Sequence, residues 1–322
     1  MIPVVDCLNN ITGKTVSDQI WSAITSIGFV YLKNCGIDFN LVSEVFRQSD
    51  VLFKLPPASL SSIARPLDSR TNSGYVGFGV ETLQDAHCGH NGDNGSHYNE
   101  GKQKRFEFRE SFNITPWESD IPWPENNVPA LKPAVTELMS NCETILLQLL
   151  RIAGQNISTQ DTEFMLKCHS KVGHCGNMSG MRILRYPPVP KDYDEGDPRL
   201  GEHSDYGSFT LLFQDDVGGL EVMDRTGKYV PGTPVKDAVL VNAGDLMEIW
   251  SNGHIKAVKH RVLTPARDSP LRSKDRLSVV YFGHPDDDVL VKPLLAGRNG
   301  NSSYEAVNSK EYIDRKFNRT YI

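Results

Sequence analysis

Hydrophobic and polar positions are spaced in two different ways along this protein. In the first half they recur at helical intervals. Val16, Ile20, Trp21, Ala23, Ile24 and Ile27 predict a helix over 16–27, with Gly28 as its stop. Leu41, Val45, Phe46 and Phe53 predict a second over 40–54, ended by Pro56-Pro57. The longest such pattern covers 129–154, from Leu131 and Val135 through Leu149 and Leu150, and predicts a helix braced against a sheet. A shorter helix is expected over 162–170. Strand-like runs lie between them: IPVVD (2–6), FVYLKN (29–34) and FEFRESFNI (106–114). From Met178 the texture becomes β. MRILRYPP, GSFTLLFQ, GLEVMD, YVPGTPV, AVLVNAGDLMEIWS, KAVKHRVLTP and RLSVVYFGH are short runs split by Gly, Pro, Asn and Asp turns. That is the pattern of a β-barrel or sandwich. The closing SYEAVNSKEYIDRKFNRTYI predicts a polar helix.

The stretch 68–105 fits neither period. Gly, Asn, Ser and His dominate HCGHNGDNGSHYNEGKQK, which reads as a loop, either a solvated insertion or a cover for a substrate. His87, His90 and His97 are metal-ligating types, but Gly-rich spacing gives them no rigid frame.

Composition narrows the class. The 322 residues are 39% hydrophobic and 23% charged, the balance of a globular protein with a sizeable core. A net charge of −6 argues against a general nucleic-acid or anionic-membrane binder. No apolar run approaches the ~20 residues of a membrane helix, and MIPVVDCLNN does not resemble a signal peptide. The six cysteines form no CxxC pair, so they are expected to be reduced in a cytoplasmic setting. The Asn113-Ile114-Thr115 sequon is then a chance match. Nothing in the sequence fixes an oligomeric state.

The chemistry concentrates in the β half. His203 and Asp205 stand two residues apart in GEHSDYGSFTLLFQ, and alternation along a strand would turn both to one side. His260 lies in another strand-like run. Two imidazoles and one carboxylate can hold one face of an octahedral metal and leave positions open, as in non-haem Fe(II) oxygenases. Hydrogen-bonded structural polar residues would read the same way. Arg276 and Ser278 share a face of RLSVVYFGH, where an inward Arg and Ser would clamp a carboxylate. The alternative is a structural pair of Arg276 with Asp275 or Asp245. In MRILRYPP, Arg182, Leu184 and Tyr186 alternate onto one face, and Tyr186 is placed to donate its hydroxyl to the same ligand. A same-fold iron oxidase without a co-substrate, or a non-catalytic metal- or ligand-binding barrel, would share these features.

Together, His203-x-Asp205, His260, Arg276-x-Ser278 and the upstream RxxxYPP resemble the Fe(II)/2-oxoglutarate-dependent dioxygenases of the isopenicillin N synthase-like group. The N-terminal IPVVD…IGFVYLKNCGI resembles that group too, and the likeness spans Ile2 to about His284. GEHSDYGSFTLLFQDDVGGLEV, LVNAGDL and WSNGHIKAVKHRV are most similar to the fungal thymine 7-hydroxylase-like members. The resemblance implies an α+β, mainly β fold: a distorted double-stranded β-helix (jelly-roll, cupin-like) barrel braced by helices. It implies an N-terminal dioxygenase region over 1–115 including the loop 85–101, bracing helices over 116–177, the barrel core over 178–290 and a helical tail over 291–322, all in one compact unit. It implies Fe(II) on His203, Asp205 and His260, and 2-oxoglutarate on Arg276, Ser278 and Tyr186. It also implies a small-molecule substrate, such as a pyrimidine or other heterocycle, against Arg182, Tyr206 and Phe282. Hydroxylation or another C–H oxidation would use O2 and release succinate and CO2, with ascorbate helping in vitro. Two departures stand out. Leu184 occupies a position where many plant members carry Asn, and the insertion at 85–101 has no counterpart.

Overall fold

The computed structural model describes residues 1–8, 10–66, 72–81, 107–157, 161–191, 193–295 and 304–320. The elements run, in sequence order, β1 (Val4–Asp6), α1 (Lys14–Ser26), β2 (Phe29–Lys33), α2 (Phe39–Phe53), α3 (Pro57–Ser62), β3 (Gly74–Val76), β4 (Glu110–Ile114), α4 (Leu131–Ile157), α5 (Phe164–Lys167) and β5 (Gly180–Tyr186). There follow β6 (Pro198–His203), β7 (Phe209–Gln214), β8 (Leu220–Met223), β9 (Tyr229–Pro231), β10 (Ala238–Ala243), α6 (Asp245–Trp250), β11 (His260–Leu263), β12 (Arg276–Gly283), β13 (Leu290–Val291), β14 (Val307–Asn308) and α7 (Ser309–Thr320).

Two sheets carry the site. The larger has eight strands in the order β1-β2-β10-β7-β12-β5-β4-β3, and the smaller has four in the order β6-β11-β8-β9. Strand alternation divides the large sheet cleanly. Phe29 and Tyr31, Leu184 and Tyr186, Leu240 and Val280 turn to an inner cluster with Leu220, Val222 and Val262 of the small sheet. Their neighbours Val30, Leu32, Met181, Ile183, Val239, Val241, Val279 and Tyr281 turn outward into the main core. There α4 lays down a buried stripe from Leu131 to Ile157, as the bracing helix expected from the pattern. The small sheet faces the large one, the arrangement of a double-stranded β-helix. Among the described residues the two are not closed into one hydrogen-bonded ring.

Several expectations shift. The run 238–251 is not one strand. It breaks at Gly244 into β10 and the short helix α6, whose Leu246, Met247, Ile249 and Trp250 are all buried. A helix apolar on every side shows no stripe, so its period is invisible in sequence. α2 ends at Phe53, just before Pro56-Pro57 as expected, but Pro57 also opens α3 at its first position, where the missing N–H costs nothing. The expected helix over 162–170 is one turn, α5, and the expected strand over 106–114 is β4 from Glu110. The C-terminal segment is more than a polar tail. β13 and β14 pair, Ile313 of α7 is fully buried, and Tyr312 donates to Asp245 Oδ2 at 2.8 Å. Asn113 is buried in β4, which makes it unusable as a glycan acceptor. The loop 85–101, with His87, His90 and His97, lies outside the described residues.

Candidate active site

His203 is the last residue of β6 and His260 the first of β11, and the two are direct partners across the small sheet. Their ring centroids lie 4.2 Å apart. Asp205 joins them for a reason other than strand alternation. It sits past the end of β6, in the connection to β7. That connection is fixed by Asp245 N donating to Asp205 O at 2.8 Å and by Gly207. A Cβ on Gly207 would come within 2.3 Å of Gly283 O and 2.5 Å of His284 Nδ1, so only glycine allows the loop to press against β12.

The three side chains are oriented as a donor set. In each histidine Nδ1 faces a backbone carbonyl, Gly201 O at 2.9 Å for His203 and Val258 O at 3.1 Å for His260. A nitrogen facing a carbonyl must carry the proton, which leaves both Nε2 lone pairs free. Both Nε2 atoms face Asp205 Oδ1, at 4.0 and 3.8 Å. The other carboxylate oxygen accepts from Asn242 Nδ2 at 2.6 Å. Burial, with His260 beside it, drives the His203 pKa down and keeps the imidazole neutral. Burial alone would raise Asp205, but the two histidines and hydrogen bonds from Asn242 and Thr210 hold it ionised. Two imidazole nitrogens and one anionic oxygen, all ligand atoms within 4.8 Å of one another, fit one divalent ion.

A cavity opens from this triad along the inner face of the large sheet. Arg276, Ser278, Val280 and Phe282 of β12 line it beside Tyr186, Leu184 and Arg182 of β5. The register sets Arg276 opposite Tyr186, Ser278 opposite Leu184 and Val280 opposite Arg182. Arg276 is 1% exposed. Its Nε donates to Gly218 O at 2.7 Å, Nη1 to Ser278 Oγ at 3.4 Å and Nη2 to Gln214 Oε1 at 3.3 Å. Neither suggested acid partners it. Asp275 pairs with Arg185 at 2.9 Å, and Asp245 with Lys316 at 2.9 Å. Among the described residues no carboxylate lies within ion-pair distance of Arg276, so its buried charge calls for an anionic ligand. The Tyr186 ring lies 4.9 Å from the Arg276 guanidinium carbon.

At the other end, Arg182, Tyr206 and Phe282 all reach the cavity wall, but two of them are engaged with protein groups. Arg182 pairs with Glu81 and donates to Ser111 Oγ at 3.0 Å. Tyr206 meets Phe317 edge-on at 6.0 Å, under Lys316 Nζ at 5.2 Å. Four lining or buried groups here went unread in the sequence. Arg109 is held between Glu81 at 2.8 Å and Glu107 at 2.9 Å. Burial lowers its pKa, but the two carboxylates more than offset that and keep it raised. His284 is 4% exposed, and its buried Nδ1 has no hydrogen-bond partner among the described residues. Asn242 orients Asp205, and Phe317 arrives from α7. Only Arg109 left a trace in the sequence, as a charge inside an alternating strand-like run.

This geometry agrees with the relatives of the protein. Residues 178–285 match the 2OG-Fe(II) oxygenase superfamily, and residues 2–134 match the non-haem dioxygenase in morphine synthesis N-terminal family. The 2-oxoglutarate-Fe(II) type oxidoreductase ppzD of Metarhizium rileyi is 30% identical over 94% of this chain and 85% of its own. The chain belongs to the 2OG-Fe(II) oxygenase superfamily. The proline hydroxylase buaE of Petromyces alliaceus is 29% identical over 98% of this chain and 97% of its own. Among solved structures, the Neurospora crassa thymine 7-hydroxylase with 2-oxoglutarate and thymine matches with a TM-score of 0.78. Its identity is 26%, over 98% of this chain and 96% of that one. The protein is therefore an Fe(II)- and 2-oxoglutarate-dependent oxygenase acting on a small molecule.

Proposed function

We propose that this oxygenase hydroxylates a C–H bond on the ring, or on a ring substituent, of a small nitrogen heterocycle. The observation that carries the reading is the cavity running from the triad to a wall of Arg182, Tyr206 and Phe282. Two aromatic rings and a guanidinium suit a flat or compact ring bearing carbonyl or carboxyl groups. The thymine in the Neurospora enzyme and the proline named for the Petromyces enzyme are both nitrogen heterocycles.

In this reading His203 Nε2, Asp205 Oδ1 and His260 Nε2 hold the iron. Arg276, Ser278 and Tyr186 hold the far carboxylate of 2-oxoglutarate. When bound, the iron supplies the oxidising chemistry that couples loss of CO2 from 2-oxoglutarate to oxygen insertion into the substrate. The protein's share is placement. Gly201 O, Val258 O and Asn242 fix the ligand side chains. Phe282 and Tyr206 orient the substrate ring, and Phe317 with Tyr206 keeps bulk water from that end. No side chain is needed as a general base. The reading extends to a single compact unit in the cytoplasm with no nucleic-acid or membrane partner. It is supported by the acidic net charge and by the cysteines that are free among the described residues.

The test is succinate release with Fe(II), ascorbate and 2-oxoglutarate against a panel of heterocycles, pyrimidines and cyclic amino acids first. Stimulation by one of them with a hydroxylated product is expected. A panel in which only acyclic substrates stimulate turnover would overturn the substrate class.

A further inference from the structure

A second buried guanidinium lies beside Arg276, and the proposed site gives it no task. Arg199 of β6 stands four residues before His203 and is 2% exposed. Its Nη2 donates to Pro187 O at 2.5 Å, while its buried Nη1 has no hydrogen-bond partner among the described residues. Its guanidinium carbon is 5.3 Å from the centre of the Tyr186 ring, and that of Arg276 is 4.9 Å from the same point. The two charges are therefore at most about 10 Å apart, in an environment that screens poorly.

Neither has a carboxylate within ion-pair distance among the described residues. Asp275 is taken by Arg185 at 2.9 Å. Asp215 accepts from the Leu277 and Val217 backbone N–H groups, at 2.5 and 3.0 Å, and reaches Arg199 only through longer-range attraction. Burial and the neighbouring Arg276 lower the Arg199 pKa to about 10, which still leaves it charged at neutral pH. Asp215 and Asp275 thus attract Arg199 only from beyond ion-pair distance, and two like charges buried side by side with no carboxylate in direct contact are unfavourable until an external anion arrives. The cavity that Arg276 and Tyr186 line is where an external one can enter.

We propose that Arg199 is a second cationic positioning residue of the 2-oxoglutarate site. It acts through the Tyr186 ring and the field at Arg276, without touching the ligand, and sharpens the preference for a 2-oxo dicarboxylate over a 2-oxo monocarboxylate. This rests on the assignment of Arg276 to the far carboxylate.

Calorimetric titration of the full-length protein with Mn(II) in place of iron and without O2 tests it, using 2-oxoglutarate and pyruvate as the two probes. Arg199→Gln removes the charge and keeps a donor for Pro187 O. It is expected to weaken 2-oxoglutarate about tenfold, the scale for one charge at about 10 Å in a medium of effective dielectric constant ~20, and to change pyruvate less than about twofold. Arg199→Lys should return 2-oxoglutarate affinity to within about threefold of wild type, since it restores the charge. Without ligand, Arg199→Gln should melt no lower than wild type, while the rise in Tm produced by 2-oxoglutarate shrinks. Should the Gln variant fail to fold, Arg199→Met, which keeps the stem packing, gives the same comparison. Unchanged 2-oxoglutarate binding, equal weakening of both probes, or a Lys variant no better than Gln would each overturn the proposal. Unchanged 2-oxoglutarate binding in Arg276→Leu would instead overturn the assignment of Arg276.

Discussion

The two ends of the cavity are built from different kinds of sequence. The metal and co-substrate end uses residues on four strands, β5, β6, β11 and β12, together with one loop residue, and hydrogen-bonded register places nearly all of them. His203 faces His260 and Arg276 faces Tyr186 as cross-strand partners. The substrate end draws Arg182 and Phe282 from strands, but adds Glu81, Arg109, Tyr206 and Phe317 from a bridge, two separate loops and the C-terminal helix. Register is a local consequence of the hydrophobic pattern, whereas the meeting of α7 with the loop after β6 depends on the whole fold. In the proposed reading the first end carries the reaction common to the family, and the second can change its chemistry without disturbing the first.

Perturbations should separate the two ends. The largest effect is expected from Asp205→Ala, with at least a hundredfold loss of succinate release and a matching loss of Fe(II) affinity in a metal titration. Arg109→Met leaves two buried carboxylates without their partner and should lower unfolding free energy by about 3–5 kcal/mol in urea melts. Arg109→Met melting like wild type would show that the cluster at the substrate end is not held by this arginine.

The loop that carries Asp205 should also be sensitive to acid. His169, fully buried, hydrogen-bonds Met165 O at 2.6 Å and Ser208 Oγ at 2.8 Å, and burial lowers its pKa to about 4. Its folded pKa lies below the unfolded value near 6.5, so its contribution is full above pH 6.5. That contribution is lost as pH falls towards 4, by about 1.4 kcal/mol per unit. Buried His203 and His284 are lowered in the same way, so chemical denaturation across that window should show at least this slope, and His169→Gln should reduce it by about that amount. Arg276→Leu comes next, with about a ten- to hundredfold rise in the 2-oxoglutarate Kd and little change in metal affinity. Phe317→Ala should be mildest, with a few-fold rise in substrate KM and an unchanged 2-oxoglutarate KM. A shift in the 2-oxoglutarate KM instead would erase the distinction between the ends.

Legibility in the sequence follows the same division. The β-strands and long helices were readable because each buries one face and repeats with its own period, and the inward alternation of Arg276, Ser278 and Phe282 came with them. α6 was not, because every side of its apolar run is covered. Asp205 does lie beside His203 and His260, but the strand rule that pointed to it does not place it, since β6 has already ended.

By itself the sequence determined the strand faces and the donor residue types, since both are properties of spacing and side-chain chemistry. It left open whether Arg276 had an internal acid partner, and it did not single out the buried Arg199. Tertiary structure alone decided which carbonyls fix the histidine tautomers, which carboxylates turn away from Arg276, and which distant helix closes the substrate end. Those are contacts between segments far apart in the sequence, and no local period encodes them.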